Sequence, residues 1–530
     1  MDETTSVYLK HNALIEPLYN QWYAWSYLLS PAPAAMFVAN AHVKLMQSFV
    51  ASPQIHVSAL KNPANRGGPY LDIPAERAPE VKALLDRTLK TQGAMIELAD
   101  AIKALEKILA EEAKGFSLEA VYKKIPAALR GYVELVYDLK DSPSIRFMEG
   151  LLFKSRYHQR ASQAVMLSLM QPDTRQFALS TPRLEGPGDL LIPIPFDAPA
   201  LDDLYRMRYR AAPLGAIREA LGVPAASADL FASFFTTAEP RRPKPYDGDR
   251  PRARYFGHAC VLVEAPGLTV MFDPVVSYDF EGKDDRFSHA DVPERIDYVV
   301  ITHNHQDHVM FEPLLDLRHR VRTVIVPRSG GGSLADPSLK LILENAGFRD
   351  VREIGEMESV PVEGGAITGL PFLGEHGDLD IRTKLGYRLS LGGHTLMTVC
   401  DSNNVDPKLY ENIHAATGDA DVLLVGMECD GAPMSWLYGP LFTRLLVRKN
   451  DQARRFDGSD CDKATKIVDV FRPKQAYVYA MGQEQWLRHV MNVVYTPESR
   501  PIVESDKFVS VCRGRGMEAE RLYKKKEIFF

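Results

Sequence analysis

The run Thr302-His-Asn-His-Gln-Asp-His-Val places three imidazoles and a carboxylate within six residues. His303 and His305 lie two apart where the chain leaves the apolar run Ile296-Asp-Tyr-Val-Val-Ile, which reads as a buried strand. Side chains two apart on an extended segment point the same way, so both rings can face one ion. Asp307 and His308 then offer a hard oxygen and a further nitrogen to a second ion. Packing explains such a cluster poorly, because crowded imidazoles repel when protonated and need partners when neutral. The chemistry these residues point to is a dinuclear metal site.

The elements that must position this run lie in the second half of the chain. Arg254-Tyr-Phe-Gly-His-Ala-Cys-Val-Leu-Val-Glu and Leu268-Thr-Val-Met-Phe read as strands, and so does Thr323-Val-Ile-Val. Strands and helices then alternate to the end: a helix over 341–346, strands over 395–399 and 422–425, a helix over 464–471 and a strand over 476–479. That alternation predicts an α/β sandwich with its chemistry at strand ends. The first half reads as mainly helical, with helices expected over 12–30, 34–50, 79–113 and 202–221 and a further one starting at Ser117 with Val121 and Tyr122 inward. Extended structure is expected over 145–196. Between the halves, Glu239-Pro-Arg-Arg-Pro-Lys-Pro-Tyr-Asp-Gly-Asp-Arg-Pro-Arg cannot continue a helix and reads as an exposed linker. The expected division is an α+β N-terminal domain over 1–236 serving as cover or dimerisation surface, a linker over 237–251, and a catalytic domain over 252–530.

A chain of 530 residues is too long for one ordinary core. Its net charge of −6 argues against a nucleic-acid binder, which is usually basic. The longest apolar stretches, such as Tyr23 to Met36, are broken by prolines and fall short of a membrane span. The N-terminus lacks the basic and apolar regions of a signal peptide. Five scattered cysteines without CxxC spacing read as reduced thiols in a cytoplasm.

His303-x-His305-x-Asp307-His308 resembles the HxHxDH motif of the metallo-β-lactamase superfamily, and Phe256-Gly-His-Ala-Cys and Phe272-Asp-Pro resemble its opening strands. The resemblance implies an αββα sandwich and a two-metal site, with Asp401, after Met397-Thr-Val-Cys, matching the bridging carboxylate. His258 and Asp273 fit supporting positions better than ligand positions. Zinc hydrolases of this fold add two further histidines. The first falls in Pro371-Phe-Leu-Gly-Glu-His-Gly-Asp, where Glu375 and His376 compete. The second has no counterpart, since Met481-Gly-Gln-Glu follows the late strand and His489 lies farther on in a helix. With Glu375 chosen, the set is three histidines and three carboxylates, and that many oxygens favour iron or manganese over zinc.

These departures, together with Val7-Tyr-Leu-Lys-His-Asn-Ala-Leu-Ile-Glu-Pro-Leu and Gly374-Glu-His-Gly-Asp-Leu-Asp, resemble the diiron amino-acid β-hydroxylases of the CmlA type, known from chloramphenicol biosynthesis. That resemblance spans nearly the whole chain. It implies that Glu375 is a ligand with His376 beside it. His303, His305 and Glu375 would hold one iron, Asp307 and His308 the other, and Asp401 would bridge them. It also implies O2 as co-substrate with an external reductant, homodimerisation through the helical half, and an aminoacyl thioester delivered on a carrier domain of a nonribosomal peptide synthetase. Such a carrier is expected to be acidic, so Arg444, Arg448, Lys449, Arg454, Arg455 and the linker basics over 241–254 are candidate steering groups. Glu428, in Val425-Gly-Met-Glu-Cys-Asp, is expected as a supporting or structural carboxylate. The rival reading is a dinuclear zinc thioesterase or lactonase, which would need His376 as a ligand.

Overall fold

From Arg252 onward the apolar runs assemble, among the described residues, into two seven-stranded sheets. The computed structural model describes residues 2–171, 175–279 and 285–530. The first sheet has the order Val351–Ile354, Val321–Pro327, Ile296–Val300, Leu268–Phe272, Cys260–Ala265, Arg252–Gly257, Lys526–Phe529. The second runs Ser359–Val362, Gly365–Leu370, Gly386–Leu391, His394–Cys400, Val422–Gly426, Gln475–Tyr479, Glu518–Arg521. Val261, Val263, Val270 and Ile325 of one sheet meet Leu389, Leu396, Leu424 and Tyr477 of the other in a shared apolar core. Helices Lys408–Thr417, Cys461–Phe471 and Arg500–Gly514 bury the far face of the second sheet. This is the expected αββα sandwich. Four adjacent strands in the first sheet are mutually parallel, and four in the second. Parallel strands collect their carboxyl ends at one edge, and the site is built there.

The far face of the first sheet is covered by helices Phe311–Leu317 and Leu339–Asn345 and, beyond them, by the N-terminal half. Its side chains join one continuous core with Leu262, Met271, Val299 and Val324 of that sheet. Polar contacts add to this. Arg175 Nη2 lies 2.6 Å from Glu16 and 2.8 Å from Glu312, and Arg208 donates to Asp316 at 2.6 Å. Glu149 accepts from the backbone of Gly332 and Ser338 at 3.1 and 2.9 Å.

Several helical expectations in this half are corrected. Residues 12–30 do not form one helix: Ala13–Tyr19 and Trp22–Tyr23 are strands, and only Ser26–Leu29 is helical. Ala13–Tyr19 pairs antiparallel with Gln163–Leu169 and is buried at all seven positions. A strand buried on both faces shows no alternation, and its apolar run is easily taken for a helix. Residues 79–113 form two helices, Ala78–Thr91 and Gly93–Glu112, broken at Gln92. Residues 202–221 are interrupted by Ala212-Pro213, which pairs with Ser6-Val7 between helices Pro199–Arg206 and Leu214–Ala220. The helix after Ser117 is the single turn Glu119–Tyr122; Val121 is buried, but Tyr122 is exposed. The extended reading of 145–196 gives strands Pro143–Phe147, Gln163–Leu169 and Leu190–Pro193 with short helical turns among them; residues 172–174 lie outside the described residues.

No helix or strand lies between Thr236 and Arg252. The basic residues there, Arg241, Arg242, Lys244 and Arg250, are exposed, as expected of a linker, and Arg241 pairs with Asp291 at 2.7 Å; Arg252 and Arg254, in the strand that follows, share Glu264 at 2.9 and 2.8 Å. No helix of the described residues is long and apolar enough to cross a membrane.

Candidate metal centre

Each residue of the site follows a strand. His258 follows Arg252–Gly257, Asp273 follows Leu268–Phe272, the His303–His308 run follows Ile296–Val300, and Asp401 follows His394–Cys400. His258, Asp273, Glu375 and Cys400 take positive φ values of 50°, 37°, 65° and 50°. Non-glycine residues rarely adopt this conformation, and such strain concentrates where a side chain must be aimed at a function.

The six predicted residues converge. His305 Nδ1 lies 2.9 Å from Glu375 Oε1, and His303 Nε2 lies 3.6 Å from both Glu375 Oε2 and Asp401 Oδ2. His308 Nε2 lies 2.9 Å from Asp401 Oδ2 and 3.5 Å from Asp307 Oδ2. Three overlapping clusters thus form, His303–His305–Glu375, His258–Asp307–His308 and His303–His308–Cys400–Asp401, with Asp401 reaching toward both His303 and His308.

Neighbouring groups set which nitrogen faces the centre. His308 Nδ1 lies 2.8 Å from Asp273 Oδ2, and Asp273 also accepts from the Thr302 amide and hydroxyl. This carboxylate–imidazole pairing turns the Nε2 lone pair of His308 inward. The Gly482 amide donates to His258 Nδ1 at 3.1 Å, so His258 Nε2 carries the hydrogen and donates to Asp307 at 3.0 Å. Asp273 and His258 thus stand behind His308 and Asp307. His305 Nε2 is held 2.9 Å from the Tyr438 hydroxyl, leaving Nδ1 to face Glu375.

Electrostatics follow from crowding in a dry site. Burial pushes Glu375 up to about 7, opposed by His305 and reinforced by Asp401 and Asp307. Asp307 is held below the carboxylate range: burial raises it, but His308, His258 and His305 outweigh that. Burial and the neighbouring imidazoles of His308 and His305 drive His303 well below its ordinary value. Glu428 lines the same cavity as His305, Asp307 and Glu375, and burial with the repulsion of Asp307, Asp401 and Glu375 pushes it well above its ordinary value.

Whether this donor set suits metal ions can be judged from its buried polar atoms. His303 Nε2, His308 Nε2, Glu375 Oε2 and Asp401 Oδ1 have no hydrogen-bond partner among the described residues. Each such orphan costs about 1–3 kcal/mol. Cations at their common focus would satisfy all four and offset the repulsion among the carboxylates.

The competing histidines, His376 and His489, fall outside the clustered donor groups. His376 stacks on the His305 ring at 4.4 Å, with Nδ1 toward the Gly374 carbonyl. His489 is buried elsewhere, bonded to the Trp486 carbonyl and edge-on to Tyr23. Where the late histidine of a hydrolase would stand, Met481 is buried in the apolar layer behind the second sheet and the Gly482 amide is spent on His258.

Three neighbours escaped the sequence reading. Cys400 Sγ approaches His303 and His308, but on their Nδ1 sides, at 3.8 and 3.7 Å. It therefore sits behind the rings and not among the inward atoms, and burial pushes its thiol up to about 12, which keeps it protonated. Tyr438 bonds His305, and Ser26 of the N-terminal half bonds Asn304 inside the motif itself. A lone Tyr or Ser carries no spacing signal, so none of these contacts could be read from the chain.

Comparison with known proteins agrees with this geometry. Residues 8–240 match the diiron non-heme beta-hydroxylase N-terminal domain, and residues 269–436 match the beta-lactamase superfamily domain. The chain is 39% identical over 522 residues to the 4-amino-L-phenylalanyl-[CmlP-peptidyl-carrier-protein] 3-hydroxylase of Streptomyces venezuelae, covering 97% of this chain and 98% of that protein. The crystal structure of CmlA, a diiron beta-hydroxylase from Streptomyces venezuelae, superposes with a TM-score of 0.94 at 38% identity, covering 99% of this chain and 100% of that one. A glutamate-to-aspartate variant of CmlA superposes with a TM-score of 0.91. With its inward-facing nitrogens and oxygens, its missing late histidine and its full-length likeness to these enzymes, the chain belongs to the diiron non-heme β-hydroxylases built on the metallo-β-lactamase fold.

Proposed function

We propose that this protein is an O2-dependent diiron monooxygenase that hydroxylates the β-carbon of an amino acid held as a thioester on a peptidyl carrier domain of a nonribosomal peptide synthetase. The observation that carries this reading is the inward set of unsatisfied donors, rich in carboxylates, in a chain related over its whole length to a carrier-dependent 3-hydroxylase. We assign His303, His305 and Glu375 to one iron, Asp307 and His308 to the other, and Asp401 to both. When bound, two irons supply dioxygen activation with electrons from an external reductant. The chain's own residues hold and orient that centre. Asp273 and His258 fix His308 and Asp307, Tyr438 fixes His305, and Ser26 ties the motif to the N-terminal half. Phe456 and His376 pack against His305, and Phe372 packs edge-on to His303, screening it from water. Glu428 faces the cavity without a place among the inward donor groups, which suits a supporting role. The cytoplasm is the compartment we assign, on five free and buried cysteines.

The test is incubation of the iron-loaded, reduced protein with an aminoacyl carrier under isotopically heavy dioxygen. The amino acid is expected to gain one heavy oxygen at its β-carbon. Release of the free amino acid with no oxygen gained would overturn the proposal. Asp273→Ala is expected to weaken iron binding by about 10–100-fold through loss of His308 orientation. Iron titration of the apoprotein reads this; unchanged affinity would show that Asp273 does not act through His308.

A further inference from the structure

Three cavities run in series from the inward donor atoms to the surface, the outermost of them a groove. The innermost, about 340 Å³, is lined by His305, Asp307, Glu375 and Glu428 and ends at Trp436 and Leu437. Those two side chains also bound a neck of about 40 Å³, with Phe177, Leu179 and Ser180 opposite. Past Phe37, Gly67 and Ser180 the neck meets a groove of about 940 Å³.

The groove lies between the two halves of the chain. One wall is the wide helical turn Val38–His42 with helix Val43–Ala51, and the other is the segment 435–446. Asn40, in that π-helical turn, donates to the Pro440 carbonyl at 2.8 Å and ties the walls together. Such turns are rare and concentrate at functional sites. Gly67, at φ +80°, lies so close to Trp436 that a Cβ there would stand 2.7 Å from the indole nitrogen. The neck is far smaller than the cavities on either side of it, and Trp436 and Leu437 form its wall toward the metal cavity. Trp436 must turn aside for a chain to pass from the groove into the metal cavity by this route.

The groove's charge is one-sided. Lys44, Lys103 and Arg444 line it. Asp451, its one lining carboxylate, is buried and committed to the Ser435 amide and hydroxyl at 3.0 and 2.7 Å. Lys103 has Asp100 beside it at 2.8 Å, and Arg444 faces Glu106. Lys44 is exposed on the helical wall. Ser48, Ser180 and Gln452 supply hydroxyl and amide groups between these cations. Beyond the rim, Leu445 and Val447 are exposed apolar side chains, with Arg448 and Lys449 following them.

We propose that this groove receives a 4′-phosphopantetheine arm. Its phosphodiester would rest on Lys44, Lys103 and Arg444, and its aminoacyl thioester end would pass Trp436 into the metal cavity. The chemistry matches in order: an anion at the cationic rim, amides along the hydroxyl- and amide-bearing walls, and a slender chain at the neck. The proposal rests on the reading that the substrate is borne by a carrier. The metal cavity has a second mouth at Arg66, Arg455 and Asn492, but there Arg455 is already paired with Asp430, which adds negative charge where a phosphate would pass. Leu445, Val447, Arg448 and Lys449 then form the face that the carrier domain itself would meet.

The test uses iron-loaded protein and two probes, the 4-amino-L-phenylalanyl amide of 4′-phosphopantetheine and the same compound without its phosphate. The phosphorylated probe is expected to bind wild type about tenfold more tightly, the effect of a charge-assisted phosphate contact. That difference should vanish in the Lys44→Glu/Arg444→Glu double variant and persist in Arg66→Glu. Ser180→Trp, which fills the neck, should weaken both probes while retaining iron. Equal binding of the two probes by wild type, or loss of the phosphate effect in Arg66→Glu alone, would overturn the groove assignment. Phosphate-dependent binding in the groove by a protein that fails to hydroxylate any loaded carrier would leave the groove standing and overturn the proposed reaction instead.

Discussion

Glu375→Ala is expected to lose iron, and His376→Ala to keep it. Glu375 faces both His305 Nδ1 and His303 Nε2, with Oε2 making no hydrogen bond, whereas His376 stacks on His305 and points Nδ1 toward the Gly374 carbonyl, 3.4 Å from Glu375 Oε2. Removing a supporting partner of a metal ligand typically costs about 10–100-fold in affinity, and removing a ligand costs more. Backbone strain does not confuse the comparison, because alanine at φ +65° is no better placed than glutamate. Iron per chain, measured on protein whose thermal melting shows it folded, reads the outcome. Equal iron loss in both variants would mean that His376 ligates too, and retention in Glu375→Ala would remove Glu375 from the ligand set. Sequence alone leaves these adjacent residues level; the left-handed backbone at Glu375 is what turns one inward and lays the other flat against a ring.

Arg175→Met is expected to be strongly destabilising although it lies outside the site. The Arg175 guanidinium is buried between Glu16 and Glu312, and Arg183 pairs only with Glu16. Without Arg175, Glu312 keeps just the Tyr23 hydroxyl at 3.2 Å. Breaking a buried ion pair from one side costs about 3–5 kcal/mol. Burial already pushes Glu312 above its ordinary range despite Arg175, so it can take up a proton and hold the loss near the lower figure. Arg175→Met/Glu312→Leu should recover part of it, since no charge is then left unpaired. Urea unfolding of the three proteins measures this, and a single variant within 1 kcal/mol of wild type, against the expected ~3 kcal/mol, would contradict it. Glu312 lies on helix Phe311–Leu317, which the HxHxDH run enters directly, so the single variant should also bind iron less tightly.

The parts of the site that announced themselves are those with local spacing. His303 to His308 sit on one loop, and Asp401 and Asp273 each end a strand whose apolar run is continuous in sequence. What could not be read is what reaches the loop from far along the chain: Ser26 on Asn304, Tyr438 on His305, and Arg175 on Glu312. The same cause explains the misread N-terminal strand. Ala13–Tyr19 owes its conformation to Gln163–Leu169, about 150 positions away, and with both faces buried it lacks the alternation that marks a strand. The linker basics were legible as charge but not as partners, because Asp291 and Glu264 reach Arg241, Arg252 and Arg254 only once the first sheet has formed.

On this metallo-β-lactamase scaffold the chemistry is that of oxygen and not hydrolysis. Metal content and oxygen uptake, measured on one preparation with a loaded carrier and a reductant, test it most directly. A pair of irons per chain is expected, with oxygen consumed in step with β-hydroxylated product only when the loaded carrier is present. A pair of zincs, with the thioester cleaved and no oxygen consumed, would contradict it.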